Sequence, residues 1–88
     1  MKSKATYAAM AYDAVSRFVN NECDSEIINF VYDEGDCYII VKNKAAMYRV
    51  YSLTKLVDAM ITCKSFIANA EIKELEAKLK AFGELEDE

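Results

Sequence analysis

Apolar positions along the chain change period twice. From about Lys4 to Asn20, Tyr7, Ala11, Ala14, Val15 and Phe18 recur at the spacing of one helical face, while Thr6, Asp13, Ser16, Arg17 and Asn20 fall opposite. The alanines at Ala8, Ala11 and Ala14 permit close approach to a sheet. Ser3 is placed to cap this helix, and Asp13 and Arg17 form a favourable i,i+4 pair.

From Glu26 to Tyr51 the period drops to two. Runs rich in β-branched and aromatic residues, about 26–33, 36–42 and 45–51, are broken at Asp33-Glu34-Gly35-Asp36 and Asn43-Lys44. That pattern predicts a three-stranded antiparallel meander. With Glu34-Gly35 as a two-residue loop, Tyr32 opposes Cys37, Phe30 opposes Ile39 and Ile28 opposes Val41. With Asn43-Lys44 as the second loop, Val41 opposes Ala46, Ile39 opposes Tyr48 and Cys37 opposes Val50. One face then carries Ile28, Phe30, Tyr32, Cys37, Ile39, Val41, Ala46, Tyr48 and Val50 without a charge, and it is the expected core face. The other carries Ile27, Asn29, Val31, Tyr38, Ile40, Lys42, Ala45, Met47, Arg49 and Tyr51, which is too apolar and aromatic for ordinary surface. Either a later helix covers it or it meets a partner.

The helical period returns at Ser52, a candidate N-cap. Leu53, Leu56, Val57, Met60, Ile61 and Ile67 form the stripe of a helix over about 53–67, expected beside the first helix on the core face. Asn69 reads as a new cap before a helix over about 70–82 with the stripe Ile72, Leu75, Leu79 and Phe82. Gly83 is the expected stop, and 84–88 form an acidic tail. A single long bent helix is the alternative, because no proline or glycine lies between Leu53 and Phe82. The order α-β-β-β-α-α over 88 residues predicts one small α+β domain.

Charge sharpens this picture. The net charge is −4, and the acids gather: Glu22, Asp24, Glu26, Asp33, Glu34 and Asp36 precede a basic middle of Lys42, Lys44, Arg49, Lys55 and Lys64. An acidic total argues against general binding to nucleic-acid backbones, whose strength comes from cations that release counterions. Cys23, Cys37 and Cys63 are odd in number and unpaired in spacing, as free thiols in a reducing compartment would be. With no signal-peptide pattern and no apolar run near the roughly 20 residues of a membrane helix, a cytoplasmic protein is expected.

The chemistry of catalysis is missing from the composition. The chain has no histidine and two glycines, so the usual general base and the Gly-rich phosphate loops are absent. Asp33-Glu34-Gly35-Asp36 lacks the spaced ligands and closing glutamate of a calcium loop. No metal, cofactor or enzymatic activity is expected. What remains is a protein-binding module acting through Tyr38, Ile40, Met47, Arg49 and Tyr51, with Asp33, Glu34 and Asp36 as a second, acidic candidate.

In size, charge and element order the chain looks like small acidic phage inhibitors of host defence nucleases, including some anti-CRISPR proteins. That likeness implies an inhibitor of a nucleic-acid-handling protein, with acidic segments imitating phosphates. The order helix, meander, helix over 4–67 is similar to a double-stranded-RNA-binding domain. That resemblance implies phosphate contacts at the start of the second helix, where this chain has Lys55 alone and no glycine-containing approach. A third expectation, a homodimer, follows from the Ile72, Leu75, Leu79 and Phe82 stripe, which is too short to hold a coiled coil by itself.

Overall fold

The computed structural model describes residues 3–86; Met1, Lys2, Asp87 and Glu88, the outermost parts of the predicted basic start and acidic tail, lie outside them. The elements are α1 (Lys4–Glu22), β1 (Ser25–Asp33), β2 (Asp36–Asn43), β3 (Tyr48–Ser52), α2 (Thr54–Ile61) and α3 (Ser65–Glu84). The class is α+β in the expected order. Ser3 caps α1, its hydroxyl accepting from the Thr6 amide at 3.2 Å. The buried stripe of α1 is Ala8, Ala11, Val15 and Val19, with Phe18 half-buried and Ala14 exposed, a small rotation from the predicted face.

The sheet is antiparallel in the order β1-β2-β3. Its first hairpin pairs as expected, Tyr32 with Cys37 and Phe30 with Ile39. Glu34 and Gly35 both adopt positive φ, 45° and 95°, the requirement of a tight turn that follows the twist of its strands. A bulge between Ile27 and Asn29 corrects the far end: Ile27, not Ile28, pairs with Val41. Ile28 becomes the extra residue and is 46% exposed, while Ile27 packs against the core.

The second hairpin departs from the sequence reading. Asn43 is not in the turn; it ends β2, buried, and the turn runs over 44–47. The Asn43 side-chain carbonyl accepts from the Ala45 and Met47 amides at 3.1 and 3.0 Å, and Ala46 takes a φ of 61°. Because one side chain satisfies two turn amides, the longer loop is stable. Ile39 therefore pairs with Tyr51 instead of Tyr48, and Val41 pairs with Arg49. A slip of three is odd, so it exchanges the two faces of β3. Tyr51 enters the core, whereas Tyr48 and Val50 are each 60% exposed. Replacing Val50 by serine is accordingly expected to change stability by no more than about 0.5 kcal/mol in urea unfolding; a cost of about 2 kcal/mol would return Val50 to the core and restore the shorter turn.

The helical break also moves. α2 ends at Ile61, where the Cys63 amide reaches the Met60 carbonyl (3.3 Å) and the Lys64 amide reaches the Ala59 carbonyl (2.9 Å). Those two bonds close a Schellman motif with Cys63, φ 56°, in the left-handed position where glycine is favoured. Asn69 therefore lies inside α3, and Ile67 is exposed rather than on the core stripe. Cys63→Gly relieves the left-handed strain and is expected to stabilise the fold by about 1 kcal/mol, read as a higher melting temperature. Gly83 is within the last turn of α3, where a Cβ would stand 3.2 Å from the Ser25 hydroxyl and 3.4 Å from the Asp24 amide. The glycine serves close approach to the start of β1.

All three helices lie on one side of the sheet. Ala8, Ala11, Val15 and Val19 of α1, Leu56 and Val57 of α2, and Leu75, Leu79 and Phe82 of α3 share one cluster with Cys37, Ile39, Val41 and Tyr51. The last helix thus joins the core and leaves the second face of the sheet uncovered.

Candidate functional site: an open sheet face and a groove beside β3

Alternation along the strands places Asn29 and Val31 of β1, Tyr38, Ile40 and Lys42 of β2, and Tyr48, Val50 and Ser52 of β3 on the face away from the helices. Ile28 joins them from the bulge. The centre is apolar and aromatic. Lys42 stands at one end, its ammonium 6.0 Å from the centre of the Tyr48 ring, near enough for a cation–π attraction. Asp33 and Asp36, both exposed, mark the other end beside the Glu34-Gly35 turn. Along β2 the face runs from Asp36 to Lys42, and Glu26, the cross-strand neighbour of Lys42, sets a carboxylate beside that lysine.

Of the residues singled out from sequence, Tyr38 and Ile40 lie on this face. Met47 sits in the β2–β3 turn, and Arg49 and Tyr51 are on the helix side. Arg49 lies 4.6 Å over the Phe82 ring, and Tyr51 meets the same ring edge-on at 6.2 Å between centroids. Tyr48 and Val50, assigned to the core from sequence, replace them on the open face. The signal that could have found them was Asn43, an asparagine able to bridge a longer turn. The six clustered acids also divide. Glu22, Asp24 and Glu26 stand at the start of β1, while Asp33, Glu34 and Asp36 are at its far end, with roughly 23 Å of strand between Glu26 and Asp33.

A groove of about 580 Å³ runs between β3 and α3, walled by Arg49, Val50, Ser52, Lys55, Glu71 and Glu74 among others. No residue of β2 lines it, so it lies on the outer side of β3. Glu74 and Lys78 pair across one helical turn at 2.9 Å, and the lysine's hydrogen bond and charge hold the glutamate below its ordinary pKa. Arg49 and Lys55 make no ion pair among the described residues, although the Lys55 charge acts on Glu74 at longer range. Burial pushes the Tyr51 phenol up; Arg49 and Lys78, facing it, pull in the other direction.

The three cysteines are free and unequal. Burial raises the Cys37 thiol, and burial with the neighbouring Glu22 raises Cys23; Cys63 is exposed. Since the thiolate is the reactive form, iodoacetamide at mildly alkaline pH is expected to label Cys63 first and Cys37 only on unfolding. Peptide mass mapping reads this, and early labelling of Cys37 would mean that β2 opens. Among the described residues no cluster of potential ligands could hold a metal, and no helix is long and apolar enough to cross a membrane.

Compared with family models, curated proteins and solved structures, the chain has no match.

Proposed function

We propose that this chain is a protein-binding domain, not an enzyme, and that it docks through the open face of its sheet. One observation carries the reading: three helices share one side, leaving Ile28, Val31, Tyr38, Ile40, Tyr48 and Val50 together on the other. A contiguous apolar face on a small domain is a common mark of an interaction surface, and tyrosine is enriched in such surfaces. The charges at its ends define the partner's chemistry. It presents an apolar patch with a cation opposite Asp33 and Asp36, while Lys42 already has Glu26 across the strand pair. Binding of that kind can block the partner, which gives the inhibitor reading a physical route. Imitation of nucleic acid finds less support, because the acids sit in two separated groups. Direct RNA binding finds less still, because Lys55 has no basic neighbours on α2.

A photo-cross-linking phenylalanine analogue at position 38 tests the reading. The expected result is a discrete protein adduct that is absent with the analogue at position 73, on the exposed side of α3. The adduct should vanish in Ile40→Glu, with the melting curve unchanged. Equal labelling at both positions, or an adduct indifferent to Ile40→Glu, would overturn docking on this face. An adduct whose second member is this same chain would replace the foreign partner with a homodimer.

A further inference from the structure

The two edges of the sheet are not equivalent. In an antiparallel ladder, residues alternate between pairs that exchange both hydrogen bonds and pairs that exchange none, whose N–H and C=O groups point outward. The Leu53 amide bonds the Cys37 carbonyl at 2.7 Å, and the Asn43 amide bonds the Met47 carbonyl at 3.0 Å. These are bonded pairs, as are Ile39 with Tyr51 and Val41 with Arg49 between them. Tyr48, Val50 and Ser52 therefore belong to the other set, and their amides and carbonyls face the free edge of β3. On β1 the same alternation, counted from Asp33 and Asp36 at the tight turn, sends the Phe30 amide outward. There the Asn29 side-chain oxygen takes it at 2.9 Å, and the bulge at Ile28 interrupts the edge. β1 is thus protected against strand pairing in two ways, whereas β3 has no bulge, no proline and, among the described residues, no side chain bonded to its outward amides.

The geometry points to β3 as a strand-addition site: an extended, acidic segment of a partner protein pairs with Tyr48, Val50 and Ser52 in the groove beside α3. The groove, about 580 Å³, falls in the roughly 300–1,000 Å³ range of ligand sites. The backbone of β3 supplies affinity to any extended chain, and the side chains of the walls select among them. Arg49 and Lys55 are the two wall cations that make no ion pair among the described residues, Lys55 feeling Glu74 only at longer range, so a segment carrying aspartate or glutamate on its helix-facing side gives each of them a close partner. They also argue against a second copy of this chain. Antiparallel self-pairing about Val50 would offer Arg49 and Lys55 a strand without a carboxylate, since β3 carries no aspartate or glutamate, and would bring α3 toward another α3. The inference uses the backbone of β3 and does not require the open face to bind.

The probe is a capped peptide of about seven residues, with valines at alternate positions and aspartate and threonines between them, added to the isotopically labelled full chain. In the free protein the Arg49 and Tyr51 amides are expected to exchange slowly with solvent and those of Val50 and Ser52 quickly. Peptide at up to about 1 mM should shift and protect the Val50 and Ser52 amides, and the same peptide with lysine in place of aspartate should bind at least ~10-fold more weakly. Two isomers methylated on alternate sets of amides discriminate further, because only one set faces β3: one isomer should bind and the other should not. Val50→Pro, which deletes an outward amide, should abolish binding. Should that variant misfold, Lys55→Glu is expected to reverse the preference between the aspartate and lysine peptides. Equal binding of both methylated isomers, no shift at about 1 mM, or shifts confined to Tyr38 and Ile40 would overturn the site. A dimer with the Val50 amide protected before any peptide is added would assign the edge to a second copy. Cross-linking at position 38 reads the open face and exchange at Val50 reads the edge, so either proposal can fail without the other.

Discussion

Phe82→Ala is expected to cost about 3–5 kcal/mol, a large share of the roughly 5–10 kcal/mol that holds a domain of this size. Phe82 is the largest of the fully buried side chains, and it closes the core between the end of α3 and the end of the sheet. Removing the ring leaves a cavity and also strips Tyr51 and Arg49 of the surface they pack on. Phe82→Leu retains most of the volume and should cost about 1–1.5 kcal/mol. Phe66→Ala is the matched control: that ring is 87% exposed, so the change should fall within about 0.5 kcal/mol. Urea unfolding followed by circular dichroism reads all three. A Phe82→Ala cost near that of the control would mean that α3 does not dock on the sheet as described.

The elements that were legible from sequence are those specified locally. α1 followed from its period and from Ser3, and the first hairpin followed from Glu34-Gly35, whose turn chemistry fixes loop length. The apolar stripe of α3 survived almost intact as Leu75, Leu79 and Phe82, with Ile72 half-buried. The features that differ depend on capping and turn bonds that residue type alone does not announce. Asn43 sets the second turn by accepting from the Ala45 and Met47 amides, and its own amide group is held in place by the Phe82 carbonyl, 39 residues away in the chain. Cys63 ends α2 in a conformation that the residue itself disfavours, stabilised by the Schellman bonds rather than by glycine.

The cost of that misreading fell on the site. Alternation makes each face all-or-none, so a single error in turn length moved Tyr48 and Val50 into the core on paper and Arg49 and Tyr51 out of it. The existence of an apolar second face was legible, because β2 carries Tyr38, Ile40 and Lys42 in either register. Which residues of β3 complete it was not. The free edge of β3 was also hidden, since outward amides are a property of register and leave no mark in composition.

Asn43 is where fold and site meet, and it gives the second large effect. Its side chain is almost wholly buried, accepts from the Ala45 and Met47 amides, and donates to the Phe82 carbonyl at 3.0 Å. Asn43→Ala leaves the buried Phe82 carbonyl without its donor and hands the two turn amides to solvent, which should cost about 2–4 kcal/mol and loosen the register of β3. Hydrogen exchange should then show the Arg49 and Tyr51 amides losing protection before the amides of β1 do. Asn43→Asp is the sharper test. It keeps the two acceptor bonds but sets a carboxylate against the Phe82 carbonyl in a buried position, which favours the protonated acid. Burial and the Phe82 carbonyl raise the folded-state pKa of that aspartate above its unfolded value of about 3.9, against the two turn amides, whose bonds act in the other direction. A protonated carboxyl can donate to Phe82 as the amide did, so stability relative to the natural chain is best preserved below about pH 4 and is lost as pH rises through the raised pKa. Urea midpoints for the two proteins between mildly acidic and neutral pH should diverge upward with pH. A constant gap, or one that narrows toward neutrality, would remove Asn43 from the core position on which the register of β3, and with it the composition of the open face, depends.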